Sequence, residues 1–207
     1  MARPRGDIRT RVLHAGRKRF LSEGVDGASL RHIARDAKTS IGMVYYYFPT
    51  KDDLFLGVVE EVYAGILADL TRALDPELPV EERILRAFTR IGSLHEDEIL
   101  VVRLVLREAL VSSKRLDSIV ERFRRGHIPL MVQLVMDGLA GGTFDAKLHP
   151  FVIALSMMGL GAAGQLVGRA ANQRLPGAGV PTGPDLSRQM LEVLLHGAGV
   201  KKTATQA

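Results

Sequence analysis

The chain has no cysteine and no tryptophan, and only 5% of its 207 residues are aromatic. Without cysteine there can be no disulfide scaffold, thiolate nucleophile or thiolate metal site, and a reducing compartment, the cytoplasm, is the expected home. The opening MARPRGDIRTR carries charges with no apolar run behind them, so it does not read as a secretory leader. Long apolar runs are scarce. The most apolar segment, Phe151 to Val167, is short for a membrane span and is interrupted by Ser156, Gln165 and several glycines. It predicts a buried helix and no membrane association. Catalytic patterns are missing as well. No serine lies in a nucleophile-elbow sequence, and no paired-carboxylate motif, phosphate loop or metal-binding His pair occurs. The expectation is therefore no enzyme, no metal and no cofactor. The run His95-Glu96-Asp97-Glu98 could gather a cation, but three acids also suit the first turn of a helix, and that reading is preferred.

What the chain does have is helical pattern and unevenly placed charge. Its hydrophobic content of 46% is enough for a proper core. The net charge is +5, yet residues 1–51 alone carry eleven Lys and Arg against four acids, a net of +7, and the other 156 residues sum to −2. A basic end on a near-neutral body points to a polyanion bound at that end.

Residues 29–53, SLRHIARDAKTSIGMVYYYFPTKDD, organise that end. Leu30, Ile33, Ala34 and Ala37 fall at i, i+3, i+4 and i+7, one apolar face of a helix, with Ser29 before them as an N-cap. Lys38-Thr39-Ser40 breaks the pattern, and Ser40 caps a second short helix from Ile41 through Tyr47. Thr50 and Asp53 form a capping box that opens a third. Helix, tight turn, helix is the geometry of a helix-turn-helix reader, in which the start of the second helix meets base edges. Val44, Tyr47 and Phe48 suit its inward face. Thr39, Ser40, Gly42, Met43, Tyr45 and Tyr46 remain for DNA. Met43 can touch a thymine methyl, Thr39 or Ser40 can bond a phosphate or base, and the tyrosine hydroxyls and Lys51 suit phosphate. Gly42 permits close approach of backbone to another surface.

The stretch from Val12 to about Phe55 resembles the N-terminal domain of the TetR family of transcriptional regulators. The resemblance rests on Val12, Ala15, Phe20, Gly24, Ser29, Leu30, Ile33, Ala34, Ala37, Ser40, Gly42, Tyr45, Tyr47, Phe48, Lys51 and Leu54. It is sharpest from Ser40 to Lys51 and covers about a quarter of the chain. Lys38 departs from it, standing where the turn commonly carries glycine. Tyr46 also departs, at a position that is often histidine or tryptophan. The resemblance implies that Ser29, Ser40, Tyr45, Tyr46 and Lys51 face phosphate. It further implies an all-α homodimer that binds a palindromic double-stranded operator and, in its larger domain, a small apolar effector. A repressor is the expected role. An activator, or a dimeric DNA-binding protein with a filled core and no effector, is the alternative.

About nine helices are expected, with a reader at 1–53 and an effector-binding and dimerisation domain at 54–207. The first helix runs from about Ile8 to Ser22 and ends at Gly24 with positive φ. A basic arm holding Arg3 and Arg5 precedes it. A long helix follows from Lys51 to Leu74, and Asp75-Pro76-Glu77-Leu78-Pro79 breaks the chain. One helix is expected from about Arg115 to Ala140, kinked at Pro129. Phe88, Leu104, Arg107, Phe123, His127, Met131, Val135 and Met157 are candidates for an effector pocket, and all are equally good core residues. Gly161, Gly164 and Gly168 form a stripe that lets backbones approach closely. The stripe either receives a helix of the same chain or, as the resemblance favours, joins Leu186, Met190 and Val193 in the dimer interface. The tail ending KKTATQA is expected to fray.

The charge distribution yields one prediction. Binding to duplex DNA should weaken linearly in log K against log salt, by about 0.9 per neutralised phosphate. A titration from low to high salt that leaves the affinity flat would remove phosphate contact from the basic end.

Overall fold

The computed structural model describes residues 5–198 apart from 112, 176 and 178. Arg3, Pro176, Ala178 and the KKTATQA tail lie outside the described residues. The fold is all-α. Its elements are α1 (Arg5–Gly27), α2 (Leu30–Asp36), α3 (Ile41–Tyr47), α4 (Lys51–Ala73), α5 (Val80–Gly92), α6 (Glu96–Val111), α7 (Ser113–Arg124), α8 (His127–Ala140), α9 (Pro150–Met158), a π turn (Gly159–Ala163), α10 (Gly164–Arg174) and α11 (Gly183–Ala198). The chain forms two compact units. One takes in residues up to Ile66 together with His95–Phe123, and the other Leu67–Leu94 and the residues from Arg124 on.

In the first unit, Val12, Leu13 and Phe20 of α1 pack with Ile33, Val44, Phe48, Leu54 and Phe55 in one buried cluster, which also holds Leu104 and Ile119. Phe20 meets Phe55 edge-on at 6.2 Å. Two glycines set the closeness of this packing. A Cβ on Gly57 would lie 2.8 Å from the Phe48 ring, and one on Gly16 would lie 3.3 Å from Leu54. Gly24 has φ 74°, as expected of a helix end, but the helical hydrogen bonding resumes beyond it and α1 continues to Gly27. The acids 96–98 open α6. Glu98 accepts from the His95 N–H at 2.8 Å, and Asp97 pairs with Arg17 at 3.2 Å. Glu98 thus serves the helix start, and Asp97 is engaged with α1.

The second unit is built on Leu74, Ile84, Phe88, Leu134, Val135, Phe144, Ile153, Met157 and Leu194. Arg83, 2% exposed, ties α5 to α8 through Asp137 at 2.6 Å. The single kinked helix expected from Arg115 to Ala140 is instead two helices. The break falls at Gly126 (φ −110°, ψ −110°), not at Pro129. Pro129 lies in the first turn of α8, where a missing N–H costs nothing, so it starts a helix there and kinks none.

Helices α9 and α10 form one rod through the π turn, and here the structure corrects one expectation and favours one of two readings of the glycine stripe. The segment from Phe151 to Val167 is not buried all round. Phe151 and Val167 are each 67% exposed, and Leu155 and Met158 are also exposed. The rod is long and apolar enough to cross a membrane by length and composition, with 28% of its most apolar window buried. The glycine stripe faces inward. A Cβ on Gly161 would lie 2.6 Å from the Phe88 ring, on Gly164 3.3 Å from Met190, and on Gly168 3.1 Å from Leu186. The stripe therefore receives side chains of α5 and α11 of the same chain, and Leu186 and Met190 are spent on it. Val193 is exposed. The buried row reads Ile153, Met157, Gly161, Gln165 and Gly168. Steps of four residues drift by about 40° each around an α-helix. The wider π turn absorbs that drift and keeps the row on one side.

Gly161→Ala should lower stability by about 1–3 kcal/mol, because its methyl must displace the Phe88 ring in a packed core. The urea midpoint measures this, and an unchanged midpoint would mean that α5 and the rod separate easily.

Candidate nucleic-acid interface

The turn between α2 and α3 is closed by backbone bonds that force one unusual residue. The Lys38 N–H donates to Arg35 O and the Thr39 N–H to Ala34 O, both at 3.0 Å. This is a Schellman end, and the residue after its cap must be left-handed. Lys38 occupies that place with φ 52°, the one positive φ among the described non-glycine residues. The Arg11 guanidinium of α1 donates to Ala37 O at 2.6 Å and Lys38 O at 3.2 Å, which holds the turn from behind.

Ser40 begins α3, its hydroxyl accepting from the Met43 N–H at 3.3 Å. Val44 and Phe48 are buried and Tyr47 is half-buried. Tyr45 and Tyr46 point outward, 51% and 69% exposed, and the Tyr46 ring meets Tyr47 edge-on at 5.1 Å. Gly42 and Ser40 are exposed, and Thr39 and Met43 are half-buried. A Cβ on Gly42 would meet nothing nearer than Ser40 Oγ at 3.8 Å, so no contact within the chain requires glycine there. Lys38 stands at the edge of the same surface, exposed. The capping box forms as expected. The Thr50 N–H donates to Asp53 at 2.9 Å, and the Asp53 N–H donates to Thr50 Oγ1 at 3.0 Å.

One expected cap takes a different form, and Lys51 is bonded within the chain. Ser29 sits at the N-cap of α2, but its side chain makes no capping bond; its carbonyl accepts from Ile33 instead. The Lys51 ammonium donates to Asp26 O at 2.7 Å and to Ala28 O at 3.2 Å. Lys51 thus ties the end of α1 to the start of α4. An ammonium has three donors, and these two bonds aim it rather than exhaust it.

Arg19 bonds Asp36 at 2.7 Å and Glu23 at 2.6 Å, tying α1 to the end of α2. The Arg19 hydrogen bond holds the Asp36 carboxyl below its ordinary value. A depressed carboxylate contributes stability above its unfolded pKa of about 4, and that contribution disappears as pH falls through the lower folded value.

The eight pocket candidates are divided between the two units. Leu104, Arg107 and Phe123 belong to the first unit, where Leu104 is core and Phe123 lies 5.3 Å from the Tyr63 ring. Arg107 is exposed. Phe88, Val135 and Met157 are buried together in the second unit with Met131 against them. His127 opens α8, and burial pushes its pKa down. Sequence reasoning gave no partner to Arg115, Arg83 or Gln165, all buried polar residues. Spacing along a helix carries no signal for partners that lie on other helices.

Lys38→Gly should raise thermal stability, since a left-handed non-glycine residue costs about 1–3 kcal/mol and glycine returns part of that as backbone entropy. A lower melting temperature would show that the lysine stabilises the turn. Met43→Ala and Lys38→Gly should each relax sequence preference by about 1–3 kcal/mol on a randomised operator library. Unchanged selectivity in both would take these residues off the reading surface.

Residues 12–58 match the family described as bacterial regulatory proteins, tetR family. Among curated proteins, the HTH-type transcriptional repressor NicS of Pseudomonas putida is 41% identical over 57 residues, 28% of this chain and 27% of that one. The HTH-type transcriptional regulator YhgD of Bacillus subtilis is 22% identical over 154 residues, 71% of this chain and 78% of that one. Among solved structures, the regulator FadR of Bacillus subtilis, in complex with stearoyl-CoA, superposes with a TM-score of 0.75 at 17% identity, covering 91% of this chain and 98% of that one. The local match falls on the helix-turn-helix and the fold match spans nearly the whole chain: residues 12–58 are a helix-turn-helix domain of the tetR family of bacterial regulatory proteins, carried on a chain whose overall fold is that of FadR.

Proposed function

We propose that the protein is a repressor that binds a palindromic operator as a homodimer and is released by a small apolar effector. Gly42 is the observation that carries the DNA contact. A glycine that nothing inside the chain requires stands on an exposed helix start, between a capped Ser40 and two outward tyrosines, on the basic end of the molecule. Such a surface admits a groove wall close to the backbone. Ser29, Lys38, Thr39, Ser40, Gly42, Met43, Tyr45, Tyr46 and Lys51 are the proposed contacts, mostly positioning ones, with Lys38 and Met43 reading bases.

The homodimer is supported by the row Phe151, Leu155, Met158 and Val167, exposed on the rod, with Val193 on α11. An apolar row of this size calls for cover, and the proposed cover is a second copy. The interface moves accordingly from the glycine side of the rod to the opposite side. Repression follows the role named for NicS, and an apolar effector follows the acyl-CoA named with FadR. A cytoplasmic site goes with a DNA partner. A second reading, a DNA-binding dimer without an effector, is favoured by the burial of Phe88, Val135 and Met157 in one packed cluster. A thermal-shift series with acyl chains of increasing length separates the two: a shift that grows with length supports an effector.

Leu155→Glu with Val167→Glu should leave a folded monomer by circular dichroism and sedimentation equilibrium. Its operator affinity should fall far more than its non-specific affinity, since one short reading helix spans too few base pairs alone. A stable dimer with normal operator binding would place the interface elsewhere.

A further inference from the structure

One guanidinium in the first unit joins four helices. Arg115, the third residue of α7, has a side chain only 9% exposed. Its Nε donates to Asp52 of α4 at 3.0 Å. Its Nη1 donates to Glu108 of α6 at 2.8 Å and to Asp26 of α1 at 3.3 Å, and its Nη2 donates to the other oxygen of Asp26. Glu108 is 3% exposed. Asp26 stands two residues past Gly24, near the end of α1, and Asp52 in the first turn of α4. Both therefore border the reader, while Arg115 and Glu108 lie on the two helices that back it. Lys51 reinforces the same corner through Asp26 O and Ala28 O. Arg107 lies there too. A Cβ on Gly24 would sit 2.7 Å from its Nη2.

The chemistry makes Arg115 hard to replace. Three carboxylates face one fork of donors, and a two-pronged bond to Asp26 sets direction as well as distance. The fork's hydrogen bond holds the Asp26 carboxyl below its ordinary range. Lysine keeps the charge but offers a point, so it can approach these carboxylates without orienting them.

We propose that Arg115 is a positioning residue for operator recognition: it sets the pose of the reader on α6 and α7, and so the spacing between half-sites that a pair of readers accepts. This rests on the reading of the protein as a homodimer on a two-fold operator. A reader free to tilt still binds one stretch of duplex. Two readers on one duplex must meet half-sites at a set separation, so every extra pose weakens only the paired complex.

The test uses the full chain, an operator selected from genomic fragments, and variants of it whose half-site spacer is lengthened or shortened one base pair at a time. Arg115→Lys and the milder Asp26→Asn are compared with the parent, with non-specific duplex and melting temperature measured alongside. Asp26 is exposed, so its amide variant keeps the test usable if Arg115→Lys folds poorly. The expected result is a loss of about tenfold on the best spacer and a flattened spacer profile, with non-specific affinity unchanged. A spacer profile as steep as the parent's in both variants overturns the proposal. An equal loss on every duplex, tracking a lower melting temperature, also overturns it, because the role is then only structural. A parent that shows no spacer preference overturns the two-fold operator reading, and the proposal with it.

Discussion

A helix of seven residues does not hold its shape in water, because it cannot offset the cost of its own nucleation. The reading helix α3 is such a helix, Ile41–Tyr47. Its form depends on burial of Val44 and Phe48 against α1 and α4. Gly57 leaves the space that the Phe48 ring occupies. The surrounding features serve this seat. Ser40 caps the helix at its start, the Thr50–Asp53 box turns the chain into α4 at its end, and Arg11 grips the carbonyls of the turn that precedes it. A rigid presentation of backbone and short side chains is what a surface needs when most of its contacts locate a phosphate chain and few read bases.

The same corner shows how electrostatics are divided between holding and binding. Arg11 and Arg19 make hydrogen bonds inside the protein, to carbonyls and carboxylates of the turn and of α2. Lys38 and the two tyrosines stand outward. Lys51 is anchored on two carbonyls at the end of α1 with donor capacity left over. Excess positive charge in residues 1–51 is therefore not all available to DNA, and the count of phosphates neutralised must be smaller than the count of cations.

In the second unit the rod of α9 and α10 resolves a conflict between two needs. Its inner side must fit close to α5 and α11, which calls for small residues, and Gly161, Gly164 and Gly168 supply them. Gln165, fully buried among them, bonds Gly183 O and Ser187 Oγ at 3.2 and 3.0 Å and fixes where α11 begins. The helix propensity lost on each glycine, about 1 kcal/mol, is offset by this closeness. The outer side keeps large apolar residues that the chain itself does not cover.

Much of the reader was legible because its signals are local. A cap three residues from its partner and a stripe at helical spacing act within one or two turns of chain, and Ser40, Thr50–Asp53 and Val44 followed from them, while the glycine-like place of Lys38 came from the family resemblance. Gly24 could be recognised as a positive-φ position, but not that α1 would resume beyond it. The helix break at Gly126, where Pro129 had drawn attention, needed the backbone itself. What the amino-acid order could not decide was which of two opposite faces of an apolar rod turns inward. Gly161 and Leu155 are both compatible with a core, and only the positions of Phe88, Leu186 and Met190, contributed by helices far away in sequence, put the glycines inside. Arg115 was hidden for the same reason. Its three carboxylate partners come from α1, α4 and α6, and a single helix carries no record of what the others bring to it. Local order determined the reading helix and its caps; tertiary packing decided which side of each helix was left for a partner.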